Sequence, residues 1–232
     1  IDGNVGFVGG FNIGREYISK DPGFGYWRDT HLRITGEAVM SLQIRFALDW
    51  NYATGENLFK NEAYFRTDLK KKTDVRRDKE RPAWPDPELE GSQVGMQIIA
   101  SGPDTREPHI RNNYLELFHK AKHHIYIQTP YFVPDDAIFS ALKMAALSGV
   151  DVRLMIPCKP DHPFVYRATC SYAGELLDYG AKVYIYTNGF LHSKGIMVDG
   201  RVCCYGTANM DIRSFELNFE VNATIYDEAV TA

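Results

Sequence analysis

The chain has no apolar run near the ~18–20 residues that a membrane-crossing helix needs. No charged and apolar leader opens it. It lacks a basic excess: 26 Lys and Arg stand against 30 Asp and Glu, for a net charge of -4. That removes the broad electrostatic grip on which nucleic-acid binders rely, so no nucleic-acid partner is expected. Cysteine is sparse. Cys158, Cys170, Cys203 and Cys204 show neither a disulfide framework nor a zinc spacing. They read as reduced thiols in or near the core of a cytosolic domain, and no metal or cofactor is expected. What is present is a globular balance, 44% hydrophobic and 24% charged over 232 residues, enough for a real core.

The strongest signal is His192-Ser193-Lys194-Gly195-Ile196-Met197-Val198-Asp199, followed by Gly206-Thr207-Ala208-Asn209. It reads H-x-K-x4-D-x6-G-[ST]-x-N. Residues two apart on a strand point the same way, so one imidazole and one ammonium would share a face. The imidazole can attack phosphorus or pass a proton to a leaving oxygen. The ammonium can neutralise non-bridging phosphate oxygens. Gly206 permits a turn or a close backbone approach, and Thr207 and Asn209 can donate hydrogen bonds to the same phosphate. A lone histidine here would be read as packing. The whole pattern makes His192, Lys194 and Asp199 candidate catalytic residues.

The beginning of the chain repeats the end of this pattern. Asp2 is followed after six residues by Gly9-Gly10-Phe11-Asn12, as Asp199 is by Gly206-Thr207-Ala208-Asn209. Asp2 is then the last letter of a first motif whose His and Lys lie upstream, which makes it a fourth candidate catalytic residue, and the chain is expected to be a fragment. Gly10 replaces the hydroxyl residue, so any phosphate contact there falls to backbone N–H and Asn12. After each motif comes a strand, one across Tyr26 to Ile34 and one from Asn218 to Ile225, which makes Asp29 and Glu220 matched carboxylates. Each is a candidate to accept the second ring N–H of the histidine in its own half.

Between these landmarks the apolar periodicity alternates. A helix is expected from Glu37 to Asn51, with Val39, Leu42, Phe46 and Trp50 toward the core. Strands are expected at 97–100, 124–129, 150–156 and 182–186, and helices at 111–122, 136–148 and 164–179, the second capped by Asp135. The order argues an α/β fold with helices on a mixed or largely parallel sheet. Residues 52–95 break the pattern. Arg66 to Arg81 hold eight basic side chains against four acidic ones, and Pro82, Trp84, Pro85 and Pro87 follow. This reads as a linker, either simply solvated or resting on a membrane surface. The expected units are therefore 1–51, the end of a first repeat; 52–95, the linker; and 96–232, a second repeat.

The pattern resembles the HKD motif of the phospholipase D superfamily at every fixed position. Stretches outside it resemble the bacterial cardiolipin synthases of that superfamily, among them Trp27-Arg28-Asp29-Thr30-His31, Gln128-Thr129-Pro130-Tyr131-Phe132-Val133-Pro134-Asp135, and Asp211-Ile212-Arg213-Ser214-Phe215-Glu216-Leu217-Asn218-Phe219-Glu220. The resemblance implies two pseudo-repeats, the first truncated here, and a phosphohistidine intermediate. It implies phosphatidyl transfer between two phosphatidylglycerols, giving cardiolipin and glycerol at the cytoplasmic face of the cell membrane. It makes the missing histidine the nucleophile and His192 the acid/base. Two other readings stand beside it. Water in place of the lipid hydroxyl gives a phosphodiester hydrolase or nuclease. A chain with one His/Lys pair where two are needed gives an inactive fragment that only binds anionic lipid. His31 and His162 are candidates for the edge of the site, and Tyr131, Phe132, Phe164, Tyr166 and Phe190 for an apolar rim.

Overall fold

The computed structural model describes residues 1–61, 64–65 and 94–231. The basic run after Arg66 and the Pro/Trp segment that follows lie outside the described residues. The chain opens with β1 (Val5–Gly9), then β2 (Trp27–Arg28) and β3 (His31–Thr35), so the single strand expected across 26–34 is broken at Asp29-Thr30. Arg15 to Tyr17 lie in irregular turns. α1 (Ala38–Thr54) follows and is closed by Gly55 in the left-handed conformation, its amide on Asn51 O. α1 buries Val39 and Ala47, whereas Phe46 and Trp50 stack on each other and remain exposed. The aromatics expected in the core thus sit on the flank of the helix.

The second part is built around one seven-stranded sheet. Its strands are β4 (Gly95–Ser101), β5 (His124–Gln128), β7 (Asp151–Pro157), β8 (Lys182–Tyr186), β10 (Gly195–Val198), β11 (Val202–Gly206) and β13 (Glu220–Tyr226), in the order β4-β13-β11-β10-β5-β7-β8. β5, β7 and β8 run parallel, and the remaining pairings are antiparallel. The sheet is therefore mixed, and helices provide the parallel crossovers. Alternation sets the buried face: Ile125 and Ile127 on β5, and Val152, Leu154 and Ile156 on β7, are almost wholly enclosed. Against them pack α2 (His109–Lys120) through Ile110, Tyr114, Leu117 and Phe118, and α3 (Asp136–Leu147) through Ile138 and Leu142. Each such side chain, fully buried, contributes about 1.5–3 kcal/mol. α3 starts where the sequence indicates, with Asp135 accepting from Ile138 N at 2.8 Å. α4 (Pro163–Leu177) opens on a proline and buries Thr169, Ala173 and Leu176.

Four short strands, in two pairs, tie the loops together. β6 (Phe132–Val133), inside a stretch expected to be loop, pairs with β12 (Met210–Asp211), and β9 (Phe190–Leu191) pairs with β2. Of the cysteines, Cys203 and Cys204 are buried, while Cys170 is exposed rather than near the core. A short α5 (Ile212–Glu216), started by Asp211, and α6 (Glu228–Thr231) complete the chain.

The repeat read from the sequence is visible in the backbone. Asp2-Gly3 and Asp199-Gly200 adopt the same pair of left-handed conformations, with φ of 54° and 66° in each. β1 pairs with β3 as β11 pairs with β13: Val5 faces Thr35 and Gly9 faces His31, as Val202 faces Tyr226 and Gly206 faces Asn222. Extending both registers by the same step places Asp29 and Glu220 at equivalent positions. Gly10 N on Thr30 O, at 3.3 Å, repeats Thr207 N on Val221 O, at 3.1 Å. The two units meet through Val8, Ile34, Val39 and Ala223.

Candidate active site

The site forms where the chain leaves one unit for the other. β9 runs beside β2 of the first unit, and His192 N and Ser193 N both donate to Arg28 O, at 2.7 and 3.1 Å. Fully buried Ser193 shares a 2.7 Å hydrogen bond with Thr30 through its hydroxyl. The chain then enters β10. His192-Ser193-Lys194 are accordingly not part of a regular strand, as the spacing suggested. They bridge two strands with different partners, and that crossing fixes both functional side chains.

His192 Nδ1 lies 2.7 Å from Asp29 Oδ2. A carboxylate can only accept, so Nδ1 carries the proton and Nε2 is left as the working nitrogen. The expectation that each carboxylate serves its own half is therefore corrected: Asp29, from the first unit, holds the histidine of the second. It can do so because β2 and β9 are neighbours. Gly10 makes room, since a Cβ there would run into the Asp29 carboxylate. Burial pushes the His192 pKa below its usual value; Asp29 opposes that shift, and the nearby charge of Lys194 adds to it. The free site thus holds a neutral imidazole at neutral pH. One side of the ring is walled by Tyr17, Trp27 and Phe190, with centroids at 5.4, 5.0 and 6.3 Å.

Lys194 is 5% exposed, and its Nζ donates to His192 O at 2.6 Å. Burial brings its pKa down to about 8, against the pull of Asp29, Glu220, Asp161 and Asp211. An ammonium held in this way, with no contacting carboxylate among the described residues, gains from an incoming anion.

Glu220 does not touch His192. It accepts from Thr207 Oγ1 and from Asn218 Nδ2, the latter at 3.1 Å, and the Thr207 hydroxyl also accepts from Val221 N at 2.9 Å. Thr207 is thereby committed to positioning Glu220 rather than free for a phosphate. Gly206 serves a close approach: a Cβ would strike Val221 O and the Asn222 side chain. Asn209 lines the cavity beside the site, and its buried Oδ1 has no partner among the described residues. Asn12 is exposed, donates to Tyr17 Oη at 3.2 Å, and is joined to the His192 pocket only through that ring.

Asp199 and Asp2 are not beside His192. Asp199 closes the turn at the far end of β10, where its carboxylate accepts from the amides of Lys122, His123 and His124, each at 2.8 Å. Burial works against its charge, but these amides outweigh it and lower the pKa. The third letter of the motif is a fastener of the fold. Asp2 occupies the equivalent turn ahead of β1.

A cavity of about 520 Å³ opens next to Asn209, and Tyr131, Val133, His162 and Phe164 are among its walls. Phe132 and Phe190 are core, and Tyr166 donates to Cys158 O. His31 faces a second hollow beside Phe7 and Thr207. Among the described residues no cluster of three His, Cys, Asp or Glu side chains is arranged to hold a metal ion. The sequence reading missed Tyr17, which only the folded loop brings to His192. It also missed Asp161, which accepts from the Tyr131 hydroxyl, and Arg213 in the cavity wall.

The family model described as "Cardiolipin synthase, PLD-like domain" matches residues 114–232. A cardiolipin synthase of Oceanobacillus iheyensis is 51% identical over 230 residues, covering 99% of this chain and 44% of that protein. One from Listeria innocua is 52% identical over 229 residues, covering 98% and 43%, and one from Staphylococcus aureus 52% over 231, covering 99% and 43%. The chain thus spans less than half the length of these relatives. Among solved structures, the phosphatidylserine synthase of Haemophilus influenzae superposes with a TM-score of 0.64 at 17% identity, over 97% of this chain and 56% of that one. The phospholipase D family member Nuc from Salmonella typhimurium gives 0.52 at 23%, over 60% and 88%. At these identities the likeness is one of fold, the phospholipase D fold.

Proposed function

Because this chain belongs to the cardiolipin synthase, PLD-like domain family, we propose that it is part of an enzyme that transfers a phosphatidyl group between two phosphatidylglycerols, giving cardiolipin and glycerol. Residues 1–51 close a first repeat, 52–95 connect, and 96–232 form a second repeat that carries one complete motif. The observation that carries this reading is the contact of His192 with Asp29 across the two units, which makes the active centre a property of both.

Glu220, matched to Asp29 in register, is then the partner of a histidine from the first repeat, and Thr207 and Asn218 hold it ready. That second histidine attacks the donor's phosphorus. The bond from phosphorus to the glycerol oxygen breaks, and His192 Nε2 gives that oxygen its proton. The negative phosphodiester raises the His192 pKa as it binds, so the substrate itself favours loading the proton. In the return step His192 takes the proton of the acceptor's hydroxyl, whose oxygen displaces the histidine from phosphorus. Lys194 and Asn209 hold the phosphate oxygens, with Asn12 a further donor from the first repeat. Asp2 and Asp199 fasten the turns. The setting is an anionic membrane surface, the cytoplasmic face of the bacterial cell membrane. Among the described residues no helix is long and apolar enough to span it.

The test is His192→Ala in the full-length protein given phosphatidylglycerol. Cardiolipin and glycerol should both fall by about 10³-fold or more. Turnover close to normal would reject the assignment, and phosphatidic acid as the product of the unaltered protein would mean hydrolysis instead.

A further inference from the structure

We propose that the cavity beside Asn209 seats the acceptor lipid, and that Arg213 recognises that lipid's own phosphate. This rests on the transfer reading above. The acceptor brings a hydroxyl to the phospho-enzyme, and it also brings a second phosphodiester anion that water and free glycerol lack. A cation beyond Lys194 is needed for that anion, because Lys194 is buried, with its Nζ on His192 O, and serves the reacting phosphate.

Arg213 meets the requirement. It stands on α5, four residues after Asn209, and lines the same cavity. It is exposed, and its guanidinium has no ion pair or hydrogen bond among the described residues. A guanidinium engages phosphate through two parallel N–H donors, which gives direction as well as charge. The acidic group nearest in the wall, Asp211, is engaged by Ser214 N at 2.7 Å as the cap of α5. The Tyr131 hydroxyl is turned to Asp161 and the Asn218 amide to Glu220, which leaves His162 and Asn209 as the other polar groups facing the space.

The remaining wall suits the rest of a lipid. Val133, Val165 and Ile212 are apolar, and Phe164 stands 87% exposed. A volume near 520 Å³ falls in the range of about 300–1,000 Å³ that holds a drug-sized molecule. It can take a headgroup and the first carbons of its chains, leaving the chain ends in the bilayer. Arg213 is thus a specificity-determining residue: it favours a lipid acceptor over free glycerol or water.

The experiment uses the full-length protein in micelles of phosphatidylglycerol with labelled glycerol added. Two products are read together: cardiolipin, and label exchanged into phosphatidylglycerol, which reports transfer to free glycerol. For Arg213→Gln the ratio of cardiolipin to exchange should fall about ten-fold or more, the loss expected for one charged hydrogen-bonding group. Arg213→Lys, which keeps the charge without the fork, should lie between, and it carries the test if the glutamine variant yields neither product. A ratio within about two-fold of the unaltered protein for both variants would overturn the proposal. If the unaltered protein makes neither product, the transfer reading fails and this inference with it. If it makes both while the ratio ignores Arg213, only the acceptor seat is lost.

Discussion

The turn-and-hairpin unit at residues 2–35 and its counterpart at 199–226 share a turn, a register and a backbone hydrogen bond, yet they use one equivalent position differently. At Asp29 a short carboxylate fits against Gly10 and reaches across to His192. At Glu220 a longer one is held back by Thr207 and Asn218 and meets no histidine. The difference teaches that the first unit supplies the orienting group for the second unit's base; under the function proposed above, Glu220 does the same in return. A single unit is chemically incomplete even when its motif is whole.

The largest effect should come from breaking that exchange. In the full-length protein, Asp29→Asn keeps the shape but removes the charge, and its amide can donate to Nδ1 as well as accept from it, so the His192 tautomer is no longer fixed and cardiolipin formation should drop by about 10²–10³-fold. Asp29 also holds the His192 pKa up against burial. His192 must carry its proton to serve as the acid, so the loss of Asp29 should move the alkaline limb of the kcat/KM profile to lower pH. Glu220→Gln should cost a similar factor but leave the His192 limb in place, because it serves the other histidine. Rate profiles of the two variants decide the matter. A limb that moves for Glu220→Gln and stays for Asp29→Asn would return each carboxylate to its own half.

This exchange was only partly legible in the sequence. The fixed spacing of His192, Lys194, Gly206 and Asn209 encodes a motif, and the shared Asp-x6-Gly encodes the repeat, because both are local. Which carboxylate meets which imidazole depends on β2 lying beside β9, a pairing between residues more than 160 apart in the chain. For the same reason Tyr17 and Arg213 carried no signal, and Thr207 looked like a phosphate ligand when its hydroxyl already has partners. Phe46 and Trp50 fit a helical period, but a period does not say how wide a face the partner covers. The strands at 124–128 and 182–186 and the cap at Asp135 were readable because alternation and capping are properties of the segment itself.

An intermediate effect separates function from stability. Lys194 titrates at about 8 in the folded chain because it is buried, well below an unfolded lysine. Its folded pKa is the depressed one, so stability rises as pH climbs from about 8 toward about 10.5, and the full penalty is present at pH 7. Lys194→Met should therefore stabilise the full-length protein at pH 7 by on the order of 2–3 kcal/mol while abolishing transfer, and the gain should shrink above pH 8. Denaturant midpoints at pH 7 and pH 10 check this. A variant less stable than the parent at pH 7 would show that the ammonium is already well solvated or paired.

The smallest effect on chemistry should come from the motif's own third letter. Asp199 lies beyond reach of phosphorus and ties the β10–β11 turn to the start of β5 through three amides. Removing it leaves two exposed amides and one half-buried amide without their charged acceptor, so Asp199→Ala should cost about 1–2 kcal/mol in denaturant unfolding. Its pKa is lowered, so this contribution is present above the ordinary carboxylate range and disappears as pH falls through the folded value. The kcat of the protein that stays folded should change by less than about ten-fold, a loss well short of that of a group acting on the reacting atoms. Asp2 sharpens the comparison: the same turn with the same φ values puts it where a first repeat would offer its own strand-opening amides. In the full-length protein Asp2→Ala should then cost as much stability as Asp199→Ala. A cost near zero would mean that the two repeats are fastened differently, although they share their turn.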